Sequence, residues 1–406
     1  MTRQRRSTRR ASMAASANRP AQGLELLGLG SLLEVALVRV PLADHGSLGG
    51  TCRTLRRLIL TDKFERLRKM LGATEYGLLV VCERAFDLDD EGVYVRNDIS
   101  FMCPTHNLRE LGFTHPEEEI ELCECTAACS SSGRLVICGD ANSSQEILVY
   151  DIPSHASVQD SRLPRELPVV MYGQCTAFLE NTLVVVAGGT CGATQPWGFS
   201  WDEQSRLWRR LPSIPSAVVH PAYCVIGSRL FVVGGYCDEV TQPETYKPGN
   251  LCTFTTRLQI YDGAKRSWSL GTPLTALKDK NEIVATAVAH NGCVYVFAHA
   301  DDPGSVDDGQ IIYDCHCYVY NPRSEVWSEL PDLPVEHSFM VACVHDGRLV
   351  VVGSRVGYDN GPYPQSIFMY ELDEQSGTWR RKSMLIDDVE SWPRAGPVFL
   401  ASFPLR

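Results

Sequence analysis

The chain's clearest candidates for chemistry are thiols and imidazoles: 16 cysteines and 10 histidines in 406 residues. Both side chains ligate zinc, and a structural zinc site needs two ligand pairs with about two to four residues inside each pair. Two clusters approach that pattern, Cys123, Cys125 and Cys129, and Cys315, His316 and Cys317. Neither has a second pair at the required spacing. No G-x-S-x-G, H-E-x-x-H, Walker-type or G-x-G-x-x-G motif stands in a fitting context. Gly28-Leu29-Gly30 is too short a match and follows no strand pattern. The sequence therefore assigns no catalytic residue, no metal and no cofactor.

The cysteines have a better explanation in register. Cys129, Cys224 and Cys343 each stand six residues before a leucine (Leu135, Leu230, Leu349) that opens an apolar run. One repeated position in a first strand is expected, with cysteine acting there as a small buried hydrophobe.

Those leucines belong to a longer pattern. A turn, an apolar run and a small residue recur with first small residues at Gly139, Gly188, Gly234, Ala298 and Gly353, in steps of 49, 46, 64 and 55 residues. Short β-branched runs bounded by glycine and turn residues predict buried strands. The pairs Gly188-Gly189 and Gly234-Gly235 supply backbone freedom where such a strand must turn. The copies at Ala298-His299 and Gly353-Ser354 depart from the pair. A second half follows in most copies, an aromatic residue with an acid or amide and then a tryptophan. Trp201 leads to Trp208, Tyr261 to Trp268 and Tyr320 to Trp327, each seven apart, and Tyr370 leads to Trp379, nine apart. The spacing predicts hairpins with large rings on both arms.

A period near 50 residues with Gly-Gly followed by Tyr and Trp resembles the kelch repeat of β-propellers. Five copies span roughly residues 120–381. The pieces Leu78–Cys82, Ile99–Cys103 and Asn107–Leu111 predict three strands of a sixth blade, completed by Ala395–Phe403 from the C-terminal end. The expected fold class is therefore all-β, a six-bladed propeller over residues 76–406.

Residues 23–72 read differently. Leu26, Leu27, Leu29, Leu32, Leu33, Val35, Val38 and Val40 crowd about four helical turns, and Pro41 ends them. Leu48, Cys52 and Leu55, with Arg53 among them, continue at helical spacing. Leu32–Val38, Val40-Pro41, Leu48 and Cys52-Arg53 resemble an F-box, and the order helical segment then kelch blade resembles F-box/kelch proteins of plant and algal type. Gly30 stands where that motif has a proline, and Gly49-Gly50 interrupts the second helix. The resemblance implies a receptor that docks on a Skp-family adaptor, and through it on a cullin, while the propeller holds a protein substrate. A kelch scaffold without a ligase role and a kelch-fold enzyme are the alternatives.

The formal charge is −11, and the first 22 residues carry six arginines and no acid, so the remainder carries −17. A body this acidic is a poor phosphate binder, which argues against nucleic acid. No apolar run reaches the roughly 18 residues that cross a bilayer. Residues 1–22 are expected to be a disordered basic tail, and the thiols fit a cytosolic or nuclear setting. Recognition belongs on long loops over a rigid scaffold, with Trp197, Tyr236, Tyr246, Arg355, Tyr358 and Tyr363 as its aromatic and cationic anchors.

Overall fold

The valine- and leucine-rich runs become strands because both of their faces are covered. In Thr182–Val186 and Arg229–Val233 every residue after the first is buried. Successive side chains in a strand point to opposite faces, and the packing follows that alternation. Leu183 and Val185 pack with Val136 and Ile147 on one side, whereas Val184 and Val186 pack with Leu230 and Val232 on the other. Phe231 and Val233 then meet Val294 and Val296, and Phe297 meets Leu349 and Val351. Each apolar cluster thus joins one sheet to the next.

The computed structural model describes residues 64, 68, 76–88, 92–102, 126–130, 133–138, 145–151, 156–158, 160, 162–190, 193–237, 253–278, 281–307, 310–334, 339–354, 367–386 and 397–404. It divides into two compact units, residues 1–76 with 404–406 and residues 77–403. In the first unit Phe64 and Arg68 are helical and buried. The rest of the expected F-box-like segment, and the basic tail, lie outside the described residues.

The second unit is a β-propeller of five four-stranded antiparallel blades. Their first strands are Thr126–Cys129, Cys175–Leu179, Ala222–Ile226, Asn281–His290 and Phe339–His345, and those of neighbouring blades pack on one another. The fourth strands therefore form the rim. Among the described residues of this unit the helical structure is one 3-10 turn, Thr275–Leu277.

The expectation of six blades is corrected to five complete blades among the described residues. Two of the three N-terminal pieces lie in strands, which are longer than expected. Tyr76–Leu88 and Gly92–Met102 make one long hairpin, paired from Leu78↔Met102 to Leu88↔Gly92. Leu78–Cys82 and residues 99–102 therefore face each other at the open end of this hairpin, and both strands run on to Leu88 and Gly92. Pro397–Pro404 pairs with the first of them, giving a three-stranded sheet. Residues 107–111 lie outside the described residues.

The glycine pairs are offset from the sequence alignment by one residue. Positive φ falls on Ala187 (61°) and Gly188 (98°) in the second blade, and on Gly234 (67°) and Gly235 (94°) in the third. Gly189 is required for another reason, because a Cβ there would lie 2.5 Å from the Tyr172 ring. Where the pair is missing the strand does not turn. Ala298 and His299 stay in the ladder opposite His316 and Cys315, and the strands extend as Cys293–Asp307 and Gln310–Asn321. Residues 300–307 thus belong to a β-ribbon rather than to a loop. Gly353 also remains in strand, opposite Phe368.

The rim hairpins repeat closely. Trp201↔Trp208, Tyr261↔Trp268 and Tyr320↔Trp327 are cross-strand partners. In the fifth blade Trp379 faces Leu372, and Tyr370 faces Arg381. Leu372-Asp373 is therefore the true equivalent of Tyr261-Asp262, and the nine-residue spacing to Tyr370 is corrected to seven. The acid or amide after each partner caps the turn. Asp202, Asp262, Asn321 and Asp373 accept backbone N–H bonds from Gln204, Lys265, Arg323 and Gln375 at 2.9–3.1 Å. Four residues on, Arg206, Arg266, Glu325 and Gly377 take φ of 53–64°.

The tryptophans tie blades together. Trp208, Trp268, Trp327 and Trp379 donate their indole N–H to the carbonyls of Glu166, Pro212, Thr272 and Pro331, at 2.9, 2.9, 2.8 and 2.7 Å. Each acceptor lies on the chain leaving the preceding blade. A further tie joins the last two blades, where His290 Nε2 lies 2.5 Å from Glu374 Oε1.

Candidate recognition surface

The Gly-Gly turns and the chain entering each first strand share one end of the propeller. Val219 and Tyr236 exchange backbone hydrogen bonds there, as do Tyr172 and Gly189. Tyr172 and the exposed His220 lie with ring centroids 6.3 Å apart. His220 has φ 50°, its N–H bonds the Gly173 carbonyl, and its ring covers Gly173 so closely that a Cβ would lie 2.8 Å away. Neither Tyr172 nor His220 is among the anchors expected from the sequence. The signal was weak because neither residue repeats between copies.

Two of the six expected anchors are in view. Trp197 is half-buried just before the strand Gly198–Asp202, and its carbonyl accepts from Ala187 N–H. Tyr236 serves the scaffold: its hydroxyl donates to the Ile283 carbonyl at 3.1 Å, and its ring meets Phe254 edge-on at 5.5 Å. That phenol fixes the third blade to the fourth. Tyr246, Arg355, Tyr358 and Tyr363 lie outside the described residues, as do the adaptor-binding positions Leu26, Leu27, Leu29, Leu32, Leu33, Val35, Val38, Val40, Pro41, Leu48, Cys52, Arg53 and Leu55.

The opposite end, where the tight hairpins turn, carries a cleft of about 650 Å³ across the first three blades. Arg134, Arg162, Arg209 and Arg266 line it with Asp160, Asp202 and Trp201. Asp160 is held by Arg162 at 2.7 Å and by Arg134 at 3.2 Å, so its carboxyl stays well below the usual carboxylate range. Arg134 also pairs with Asp151, and Arg209 with Asp202. Arg266 forms no ion pair among the described residues. The sequence hid this cleft because its residues come from hairpins far apart in the chain.

Six of the nine described thiols are buried, and Cys129, Cys237 and Cys293 are partly so. Burial pushes Cys129 and Cys138 up to about 11, and raises Cys175, Cys224, Cys317 and Cys343 well above the ordinary thiol range. Cys224 faces Phe231 and Cys343 faces Val350, the shared position expected. Cys129 is one step off, facing Leu135, because its hairpin loop is one residue longer. Cys315 and Cys317 are both buried, while His316 lies 3.5 Å from Asp332. Among the described residues no three His, Cys, Asp or Glu side chains converge as a metal site would. Cys123 and Cys125 lie outside them. No described helix is long and apolar enough to cross a membrane.

Comparison with known proteins agrees with the fold. Residues 217–275 match the kelch motif. The chain is 28% identical over 165 residues to Kelch repeat and BTB domain-containing protein 12 of Danio rerio, covering 39% of this chain and 25% of that protein. It is 26% identical over 173 residues to Kelch-like protein 35 of Mus musculus, covering 42% and 24%. With Kelch domain-containing protein 3 of Homo sapiens it is 23% identical over 234 residues, 53% of this chain and 54% of that one. The matched region is thus about a quarter of the first two relatives' length and about half of the third's.

Proposed function

We propose that this kelch-repeat β-propeller, a protein-interaction module, is the substrate-holding half of a ubiquitin-ligase receptor whose residues 23–72 dock on a Skp-type adaptor. The observation that carries the reading is the division at residue 76. A propeller whose apolar clusters are satisfied between its own blades has no need of a separate unit. A second unit rich in leucine and valine is useful if it meets another molecule. Two of the relatives point to such modularity, since their name joins kelch repeats to a BTB domain.

The mechanism is tethering. A substrate held on the propeller and a ubiquitin-conjugating enzyme held through the adaptor become neighbours, and the gain is effective concentration rather than acid–base or nucleophilic work by this chain. The Gly-Gly end, with His220, Tyr172 and Trp197, is the face assigned to the substrate. A kelch scaffold without a ligase role is the second reading, favoured by relatives that carry a BTB domain rather than an F-box in their names.

The test is binary. Full-length protein mixed with a purified Skp-type adaptor should co-elute from size exclusion. The double substitution Leu33→Asp, Val38→Asp should abolish co-elution while the β-sheet circular dichroism and melting curve of the propeller stay unchanged. Absence of co-elution for the unsubstituted chain overturns the ligase reading and leaves the scaffold.

A further inference from the structure

Every sheet edge offers unpaired N–H and C=O groups to any extended chain, and proteins guard such edges with charge, proline or shortness. The five rim strands are not guarded alike. In the first blade the strand is two residues long, Ala156–Ser157. The second carries Arg209 and Arg210, the fourth Glu329, and the fifth Arg380, Arg381 and Lys382. The third, Ser267–Gly271, reads Ser-Trp-Ser-Leu-Gly, with five residues in ladder, no charge and no proline. Ser267 and Ser269 are exposed, and Leu270 is 62% exposed, among the largest apolar exposures described. Gly271 is fixed by packing, since a Cβ would lie 2.6 Å from Leu258.

Charge adjoins this open edge. Arg266 immediately precedes the strand, is exposed, forms no ion pair among the described residues, and lines the cleft with Arg134, Arg162 and Arg209. Asp151, Asp160 and Asp202 pair with the other three arginines and Asp262 with Lys265, so Arg266 is the cation left over beside the edge among the described residues, on a chain whose net charge is −11.

We propose that Ser267–Gly271 accepts an extended, acidic segment of a partner protein as a fifth, antiparallel strand of the third blade. Main-chain hydrogen bonds supply the pairing, and alternate side chains supply selectivity. An apolar side chain of the incoming strand lies against Leu270. In antiparallel register the residue facing Arg266 comes about four positions later in the peptide, so the segment has an apolar residue followed by Asp or Glu at about that distance. The inference rests on the propeller being a recognition module and is independent of the adaptor.

The probe is a fluorescein-labelled eight-residue peptide alternating valine and threonine and ending in two glutamates, with a twin ending in two lysines. Fluorescence anisotropy with the full chain should show at least tenfold tighter binding of the glutamate peptide. Leu270→Asp, at an exposed position, should weaken that binding at least tenfold. Arg266→Gly removes the cation while easing a left-handed backbone position, so the fold is kept and the preference for glutamate over lysine should disappear. Equal affinity for the two peptides, no binding, or binding untouched by both substitutions overturns the proposal. So does a dimer seen by sedimentation without peptide and lost in Ser269→Lys, because the edge would then be filled by a second copy. Loss of adaptor co-elution has no bearing on any of these readings.

Discussion

Replacing Trp268 with phenylalanine isolates the bond that joins the third blade to the second. The indole N–H donates to the Pro212 carbonyl at 2.9 Å, and the ring packs tilted at 49° against Tyr261 with centroids 5.2 Å apart. Phenylalanine keeps a ring in that place and loses the donor. Pro212 is exposed, so water can reach the abandoned carbonyl, and the cost of the lost bond stays near 1 kcal/mol. The missing half of the indole removes a few tens of Å² of buried apolar surface, about 1 kcal/mol more at roughly 25 cal/mol per Å². The expected total is about 2 kcal/mol, read from urea unfolding monitored by far-ultraviolet circular dichroism. Trp208→Phe and Trp327→Phe should cost about the same, because their bonds, at 2.9 and 2.8 Å, have the same kind of acceptor. These two tie different blade pairs, so the double variant should be additive to within about 0.5 kcal/mol. Trp197→Phe is the control, since no side-chain hydrogen bond is described for it, and it should cost distinctly less. A Trp268→Phe cost no greater than that of Trp197→Phe would refute the reasoning.

Three further outcomes follow from the same geometry. Ala187→Gly and Glu325→Gly should each stabilise by about 0.5 kcal/mol, because a left-handed residue costs about 1–2 kcal/mol and glycine returns part of that as entropy; Gly235→Ala, at φ 94° with the Val219 carbonyl 2.9 Å from the new Cβ, should destabilise strongly in the same assay. Asp160 is held below the usual carboxylate range chiefly by its bond to Arg162, so its contribution is complete above the unfolded value near 3.9 and is lost as pH falls below it. Asp160→Asn should therefore lower stability at pH 7 and flatten the acid limb of a stability–pH curve below pH 4. Iodoacetamide at pH 8, followed by peptide mass mapping, should leave Cys175, Cys224 and Cys343 unlabelled in the native protein and label them in urea, because burial keeps those thiols protonated.

The repeat was legible because its cause is local. Val184–Val186 and Val232-Val233 are buried on both faces, so hydrophobic runs mark them without any knowledge of the neighbours. The tryptophans were legible as hairpin residues, but their acceptors 42 to 56 residues away were not. Register was the weak point. Ala187 occupies a left-handed position that glycine usually fills, so an alignment on Gly-Gly slipped by one. Leu372 stands where an aromatic was expected, so the nearest tyrosine, Tyr370, was taken for it. Blade number failed because two of the short pieces expected in a sixth blade run on as one long hairpin, Tyr76–Leu88 with Gly92–Met102. The arginine cleft was invisible because Arg134, Arg162, Arg209 and Arg266 meet only after three blades have stacked.

The receptor reading makes its sharpest claim about independence of two surfaces. Affinity capture on the full chain, compared by quantitative mass spectrometry with the Leu33→Asp, Val38→Asp chain and with a His220→Asp chain, separates them. The account predicts that the first substitution removes a Skp-type adaptor and its cullin while other captured proteins remain, and that the second does the reverse. Capture of the same proteins at the same levels by all three chains would contradict it.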